Sequence, residues 1–192
     1  SALHDHREMK KPRICYVCKG GNVHDVTRLC ALAETGNYDL RVIAHSARHP
    51  QIPGATTYSL PRGRLGLLLA PVIVPLLIRA LRPDIVNGNF LLTGGFFSAL
   101  SLKRPLLQTA MGSDALLAPN RNLLYRFMVK CALRRADAVW APSQSVAEAV
   151  TALGYPADRV HVFTEGVDTN LFTRTDDTAD LKQRLGLGPD NP

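Results

Sequence analysis

What most constrains this chain is a recurrence of pattern. Between residues 13 and 163 a short apolar run is followed by a longer helical stretch, six or seven times over. The runs RICYVC (13–18), YDLRVIAH (38–45), ATTYSL (55–60), PDIVNGN (83–89), RPLLQTA (104–110), DAVWAPS (137–143) and RVHVF (159–163) predict strands. Helical spacing predicts helices over 23–34, 65–82, 91–102, 122–136 and 145–154, with Ser143, or Ser145 paired with Glu148, capping the last. Parallel strands need a helix to bring the chain back, and strands buried on both faces read as nearly unbroken apolar runs. The fold class is therefore α/β: a doubly wound parallel sheet, Rossmann-like, with its ligand over the carboxyl ends of the strands.

Composition fits one folded unit: 192 residues, 46% hydrophobic and 20% charged. Twenty-three Lys and Arg against 16 Asp and Glu leave +7, which favours anionic partners. The cations are scattered, and aromatics make up 6%, a pattern that speaks against nucleic acid. Cys15 and Cys18 have ligand-like spacing, but no second pair stands at a matching distance, so no metal is expected. They lie inside an apolar run and read, with Cys30 and Cys131, as reduced core cysteines in a reducing, cytoplasmic setting. Residues 1–12 are polar and charged, and read as a disordered lead or an expression remnant. The apolar stretch 65–78, flanked by Arg62, Arg64, Arg79 and Arg82, is too short to span a bilayer, which takes about 20 residues, and Pro71 and Pro75 interrupt it.

Four loops follow strand ends: 19–22, 87–89, 111–114 and 164–168. In the first, Gly20 and Gly21 precede a helix start, where backbone N–H groups can receive a phosphate or sugar oxygen; a plain tight turn would also require glycine. Neither a dinucleotide G-x-G-x-x-G nor a P-loop Gly-Lys-Ser/Thr is present there. His24 follows close enough to face the same cleft, although a lone histidine is more often structural. Asp114, after Gly112, could accept a substrate hydroxyl or cap the following turn, and the cap is the better local reading.

The segments GGNVHDVTRLCALAETGNYDLRVIAHS, RPDIVNGNF, QTAMGSD and RADAVWAPSQSVAEAVTALGYPADRVHVFTEGVDTNLF resemble, in that order, the N-terminal half of the retaining family 4 glycosyltransferases, which have the GT-B fold. The resemblance runs from about residue 12 to 188. It implies a Rossmann-like domain over 13–172, and over 173–192 an interdomain linker with the first helix of a second domain. The crossing between domains would begin at the Gly-Val-Asp turn, with Glu165, Gly166 and Asp168 as hinge.

By the same resemblance Gly20 and Gly21 would meet the donor diphosphate and sugar. His24, Asn87, Asn89, Phe90, Met111, Gly112 and Ser113 would line the acceptor side. The partners implied are a nucleotide-sugar donor and a glycan or lipid-linked acceptor; no cofactor is implied, the nucleotide-sugar being a co-substrate. Many relatives carry histidine where Met111 stands, and a thioether donates no proton. Asp114 is a weak substitute, so no catalytic residue is assigned and the donor phosphate remains the base the family suggests. Relatives that build envelope glycans dock on membranes, which offers the Arg-flanked 65–78 segment an anionic membrane surface as alternative to simple burial. Without a second domain the chain would be inactive. Rival readings are a non-catalytic α/β ligand-binding module and a GT-B nucleotide-sugar epimerase.

Overall fold

The computed structural model describes residues 11–45, 52–61, 63–166, 169 and 184–186. The chain runs β1 (Arg13–Cys18), α1 (Val23–Glu34), β2 (Asp39–Ala44), β3 (Ala55–Ser59), α2 (Arg64–Leu81) and β4 (Ile85–Asn89). A π-helical segment (Phe90–Gly95) then passes directly into α3 (Phe96–Ala99). After β5 (Leu106–Thr109) come α4 (Ser113–Leu116), α5 (Ala118–Arg121), α6 (Leu123–Arg135), β6 (Ala138–Ala141), α7 (Gln144–Ala152) and β7 (Val160–Val162). The seven strands form one sheet in the order β3-β2-β1-β4-β5-β6-β7, parallel throughout. This is the expected doubly wound sheet. Its direction of winding reverses between β1 and β4, the place where such sheets open a crevice at their carboxyl edge.

Strand alternation sorts the core into two faces. Cys15 and Val17 of β1 point, with Val86 and Leu106, toward Ala70, Val74 and Ile78 of α2 and Phe97 of α3. Tyr16 and Cys18 point the other way, with Leu40 and Val42, onto Leu29 of α1. Val139 and Ala141 of β6 pack under α6 and α7. Each buried aliphatic side chain contributes roughly 1.5–3 kcal/mol, so selection for apolar residues acts on both faces of the central strands. Cys15 and Cys18 are buried thiols, pushed up to about 12 by burial, and Cys30 and Cys131 are only half-buried.

Helix α2 divides the two readings of the 65–78 segment between its faces. Gly66, Ala70, Val74 and Ile78, spaced four apart, are buried. Leu65, Leu68, Val72 and Leu76 are exposed on the other side. It is a crossover helix seated on the sheet, with Pro71 and Pro75 inside it, and it also presents an apolar outer face.

One local expectation needs correction, and two further details are added by the structure. Residues 91–102 do not form one α-helix, because the turn after β4 is widened where glycine brings backbone against backbone. A Cβ on Gly94 would stand 2.5 Å from the Val17 carbonyl oxygen, and one on Gly95 2.6 Å from Gln108 Oε1. The 111–121 stretch, which carries no helical periodicity, winds into the short helices α4 and α5. Of the two serines offered as cap of α7, the structure has Ser143, its Oγ accepting from Val146 N at 3.4 Å.

Gly88 sits at the centre of this close approach, and a Cβ there would lie 2.6 Å from Gln108 Oε1 and 2.8 Å from Gly95 Cα. Gly88→Ala is expected to destabilise the domain by about 3 kcal/mol, at the upper end of overpacking. Urea unfolding followed by circular dichroism measures it, with Gly36→Ala, whose Cβ would meet nothing within 4 Å but whose φ is +64°, as the comparison for backbone strain alone.

Candidate functional site

All seven strands point their carboxyl ends to one edge, and at that edge the reversal between β1 and β4 is filled by a polar network. The loop after β1 turns through Gly20 and Gly21, whose φ values of 85° and 72° lie in the left-handed region that favours glycine. Asn22 then caps α1, its side chain accepting from His24 N at 3.2 Å. The glycine loop and the start of α1 thus stand at the carboxyl edge, where the dipole of a helix N-terminus favours an anionic group.

One turn into α1, Asp25 is buried on the same stripe as Leu29. It accepts from Asn89 Nδ2 at 2.6 Å and from the Tyr16 hydroxyl at 3.4 Å, tying α1 to β4 and β1. Arg28, one turn further, donates to Tyr16 Oη at 2.8 Å and to Asn89 Oδ1 at 3.4 Å. The same guanidinium bonds and ion-pairs with Glu165, reaches Met111 Sδ at 3.9 Å and lies 4.2 Å from the centre of the Trp140 ring. His24 Nδ1 stands 3.3 Å from the other Glu165 oxygen. Trp140 in turn donates its indole N–H to the Phe163 carbonyl at 3.0 Å, fixing the chain just before Glu165. One cation thus links the first helix, β1, β4, β6 and the segment leaving β7.

The two loops on the far side of the crevice are held by Asp114. Its carboxylate oxygens accept from Leu91 N at 2.7 Å and from Met111 N at 2.9 Å, and the side chain is fully buried. It therefore straps the turn after β4 to the turn after β5. The expected cap is not its role: Gly112 is the N-cap of α4, with φ of 105° and no side-chain bond. The strap holds Phe90 in the left-handed region at φ 69°, a conformation that costs a non-glycine residue on the order of 1–3 kcal/mol. Asn87, two residues before Asn89 on β4, accepts from Thr109 Oγ1 at 3.0 Å.

The candidate residues are thus brought together unequally. Arg28 and Glu165 gather His24, Asn89 and Met111. Gly20 and Gly21 stand at the same edge but line a small hollow with Val42, Ala44 and Thr57, while Asn87 lies within β4 and Phe90 and Gly112 in the turns after β4 and β5. Ser113 and Gly166 are exposed, and Asp168 lies outside the described residues. Sequence reasoning missed Tyr16, Asp25, Arg28 and Trp140. Asp25 alone left a signal, a charge placed four residues before Leu29 on the inward stripe of a helix.

Burial dominates the electrostatics. It raises the Asp25 carboxyl above the usual range, with Arg28 the chief opposing influence, and raises Asp114 against the pull of its amide donors. His45, at the tip of β2, is buried with neither ring nitrogen bonded and its ring edge-on to Phe97 at 5.2 Å. Burial, helped by the charge of Lys19, pushes it down from 6.5 to about 4.

The sequence profile of glycosyltransferase family 4 matches residues 20–171, from the glycine turn through the β7 exit. The chain belongs to glycosyltransferase family 4. Among solved structures, this family 4 chain is similar to sucrose-phosphate synthase from Thermosynechococcus elongatus, with a TM-score of 0.68 and 16% identity over 95% of this chain and 54% of that one. It is similar to Anabaena HepE, solved in complex with UDP-glucose, with a TM-score of 0.63 and 21% identity over 91% of this chain and 50% of that one. UDP-N-acetylglucosamine 2-epimerase from Rickettsia bellii gives 0.59 and 15%, over 94% and 52%. No curated protein matched. The family 4 chain spans about half the length of these structures, and at these identities the likeness establishes the shared fold, the Rossmann-like half of a GT-B architecture.

Two measurements probe the site in this domain. Arg28→Met strips the cation from Glu165 and a donor from Tyr16 and Asn89, and is expected to lower stability by about 2–4 kcal/mol, read as a shift in the urea midpoint. His45 acts through pH. Because its folded value lies below its unfolded one, the unfolded chain takes up a proton first, and stability falls as pH drops from 6.5 toward 4. Melting temperatures of the wild type should decline across that window more steeply than those of His45→Phe.

Proposed function

We propose that this chain is the acceptor-side half of a retaining glycosyltransferase, which moves a sugar from a nucleotide-sugar to a glycan or lipid-linked acceptor. The observation that carries the reading is the crevice at the β1–β4 reversal. A left-handed glycine turn and the start of α1 lie on one side of it, and the buried polar groups Asn89 and Asp114 lie on the other. Diphosphate oxygens would be received by the Gly20–Gly21 turn and the N-terminus of α1, while the acceptor would lie along Asn89, Phe90 and Met111. HepE, with the same half-fold, was solved with UDP-glucose, which supports a nucleotide-sugar as donor.

On this reading the chain's own contribution to chemistry is position and field. Met111 moves no proton, and both Asp114 oxygens are spent on backbone amides. Arg28 holds Glu165 at the crevice mouth and offers a fixed positive charge near developing negative charge on the leaving phosphate. The base that serves the acceptor hydroxyl would then come from the donor phosphate itself. Glu165, Gly166 and Asp168 would form the crossing into a second domain that carries most of the donor site. The reaction would take place in the cytoplasm, with the Arg-flanked outer face of α2 resting on an anionic membrane surface.

A second reading is favoured by a specific observation: epimerases acting on UDP-N-acetylglucosamine share the fold. Incubating the protein that includes the second domain with a panel of nucleotide-sugars separates the two. Release of nucleoside diphosphate that depends on an added acceptor, with the anomeric configuration kept, is the expected result. Interconversion of the sugar without release would establish an epimerase, and binding without either would leave a ligand-binding module. The 192-residue chain alone should neither transfer nor hydrolyse a nucleotide-sugar. Calorimetry should find its affinity for one weaker than micromolar, and micromolar binding would contradict the two-domain site. In liposome flotation, absence of salt-sensitive binding to anionic lipid would remove the membrane from the reading.

A further inference from the structure

At the opposite edge of the sheet, where β5, β6 and β7 begin, the surface opens into a cavity of about 410 Å³. Four cations line it: Arg104 from the turn before β5, Lys130 and Arg134 from α6, and Arg159 from the turn before β7. The floor is Leu133, Ala136, Leu153 and Tyr155, the tyrosine fixed by a 3.3 Å bond from its hydroxyl to the Ala136 carbonyl. No carboxylate lines it. Asp137 lies below, engaged by Arg104 at 3.2 Å and by Leu106 N at 2.8 Å, and Asp158 sits beside Arg159 on an exposed turn. Among the described residues Lys130, Arg134 and Arg159 have no ion-pair partner.

Ordinary helix design accounts for part of this. Arg134 and Arg135 in the last turn of α6 complement the helix dipole. That does not account for Lys130, which stands between Arg126 and Arg134 at four-residue spacing, a like-charge row that costs an isolated helix about 0.2–0.5 kcal/mol per pair. Helix α6 contains no acidic residue to relieve it. Two further cations converge from separate turns on the same hollow. A second hollow of about 310 Å³, lined by Phe127 and Cys131, shares Lys130 and Arg134 with the first and adds Arg135. A row of cations with five or more donors between two cavities, one with an apolar wall, matches the tetrahedral oxyanion of a phosphate ester.

We propose that this cavity is a binding site for a phosphate group, separate from the crevice at the carboxyl edge and independent of the glycosyltransferase reading. Lys130 and Arg134 form its centre, with Arg104 and Arg159 closing over the oxyanion. The phosphate belongs either to a soluble phosphate ester or to the headgroup of an anionic lipid. Both sources present the same chemistry to the site.

Calorimetric titration of the 192-residue chain with inorganic pyrophosphate, and flotation with phosphatidylcholine vesicles with and without phosphatidylglycerol, test it. The comparison is Lys130→Gln/Arg134→Gln, a half-buried and an exposed position on α6, with an unchanged thermal melt as the control for folding. The wild type is expected to bind at least one probe in a salt-sensitive manner, and the double variant to bind about tenfold more weakly or worse, as expected for loss of charged hydrogen bonds. Pyrophosphate binding assigns the soluble source; binding only to phosphatidylglycerol vesicles assigns the lipid. Binding of neither probe by the wild type, or equal binding by the variant, overturns the site.

Discussion

The guanidinium of Arg28 is the contact on which the arrangement of the carboxyl edge depends. A crevice at a sheet reversal is inherently weak ground: the strands on its two sides are followed by separate turns, and of the crossover helices α1 reaches across through Asp25 and Arg28. Arg28 supplies the widest part of the bridge, because one planar cation can donate to Tyr16 and Asn89, pair with Glu165 and stack on Trp140 at once. Lysine could not do this, since a point charge has neither the fork nor the flat face. The segment leaving β7 is thereby registered against the start of the chain, so the mouth of the crevice and its floor are positioned by the same side chain.

Asp114 does for the far wall what Arg28 does for the near one, by different physics. A buried carboxylate with a raised pKa is costly unless its oxygens are satisfied, and here backbone amides from two turns satisfy them. The return on that cost is geometric: Phe90 is kept at a positive φ and Met111 beside the Arg28 guanidinium. A carboxylate used in this way has its oxygens taken up by backbone amides. It is a tie between two loops.

This explains what could be read from residues alone. The order of the strands and of the long helices was legible, and α1 over 23–34 to the residue, because burial on both sheet faces imposes long apolar runs and the crossovers impose helical period. The glycine turn and Asn89 were legible because they stand at strand ends. Arg28, Tyr16 and Trp140 were not, because each sits inside a regular element where its polar atoms look incidental; their meeting depends on strand order, with β1 beside β4 and β6 two strands away. The π-helical turn was hidden for a related reason. Gly94 and Gly95 announce flexibility in one dimension, whereas the widened turn answers to backbone atoms of Val17 and a side chain of Gln108 that arrive from other strands.

The excess of positive charge also becomes intelligible once it is located. At the carboxyl edge Arg28 is matched by Glu165, and beneath β1 and β2 Arg13 and Arg41 share Asp39, whose carboxyl they hold below its ordinary range. A net +7 is thus not spread evenly over the molecule. Beneath β5 to β7 the cations stand in a row, around a hollow, without matching acids along α6. Repulsion there works against folding, and the fold retains it. Such a surplus concentrates positive potential at that end of the domain, where an anion can relieve it.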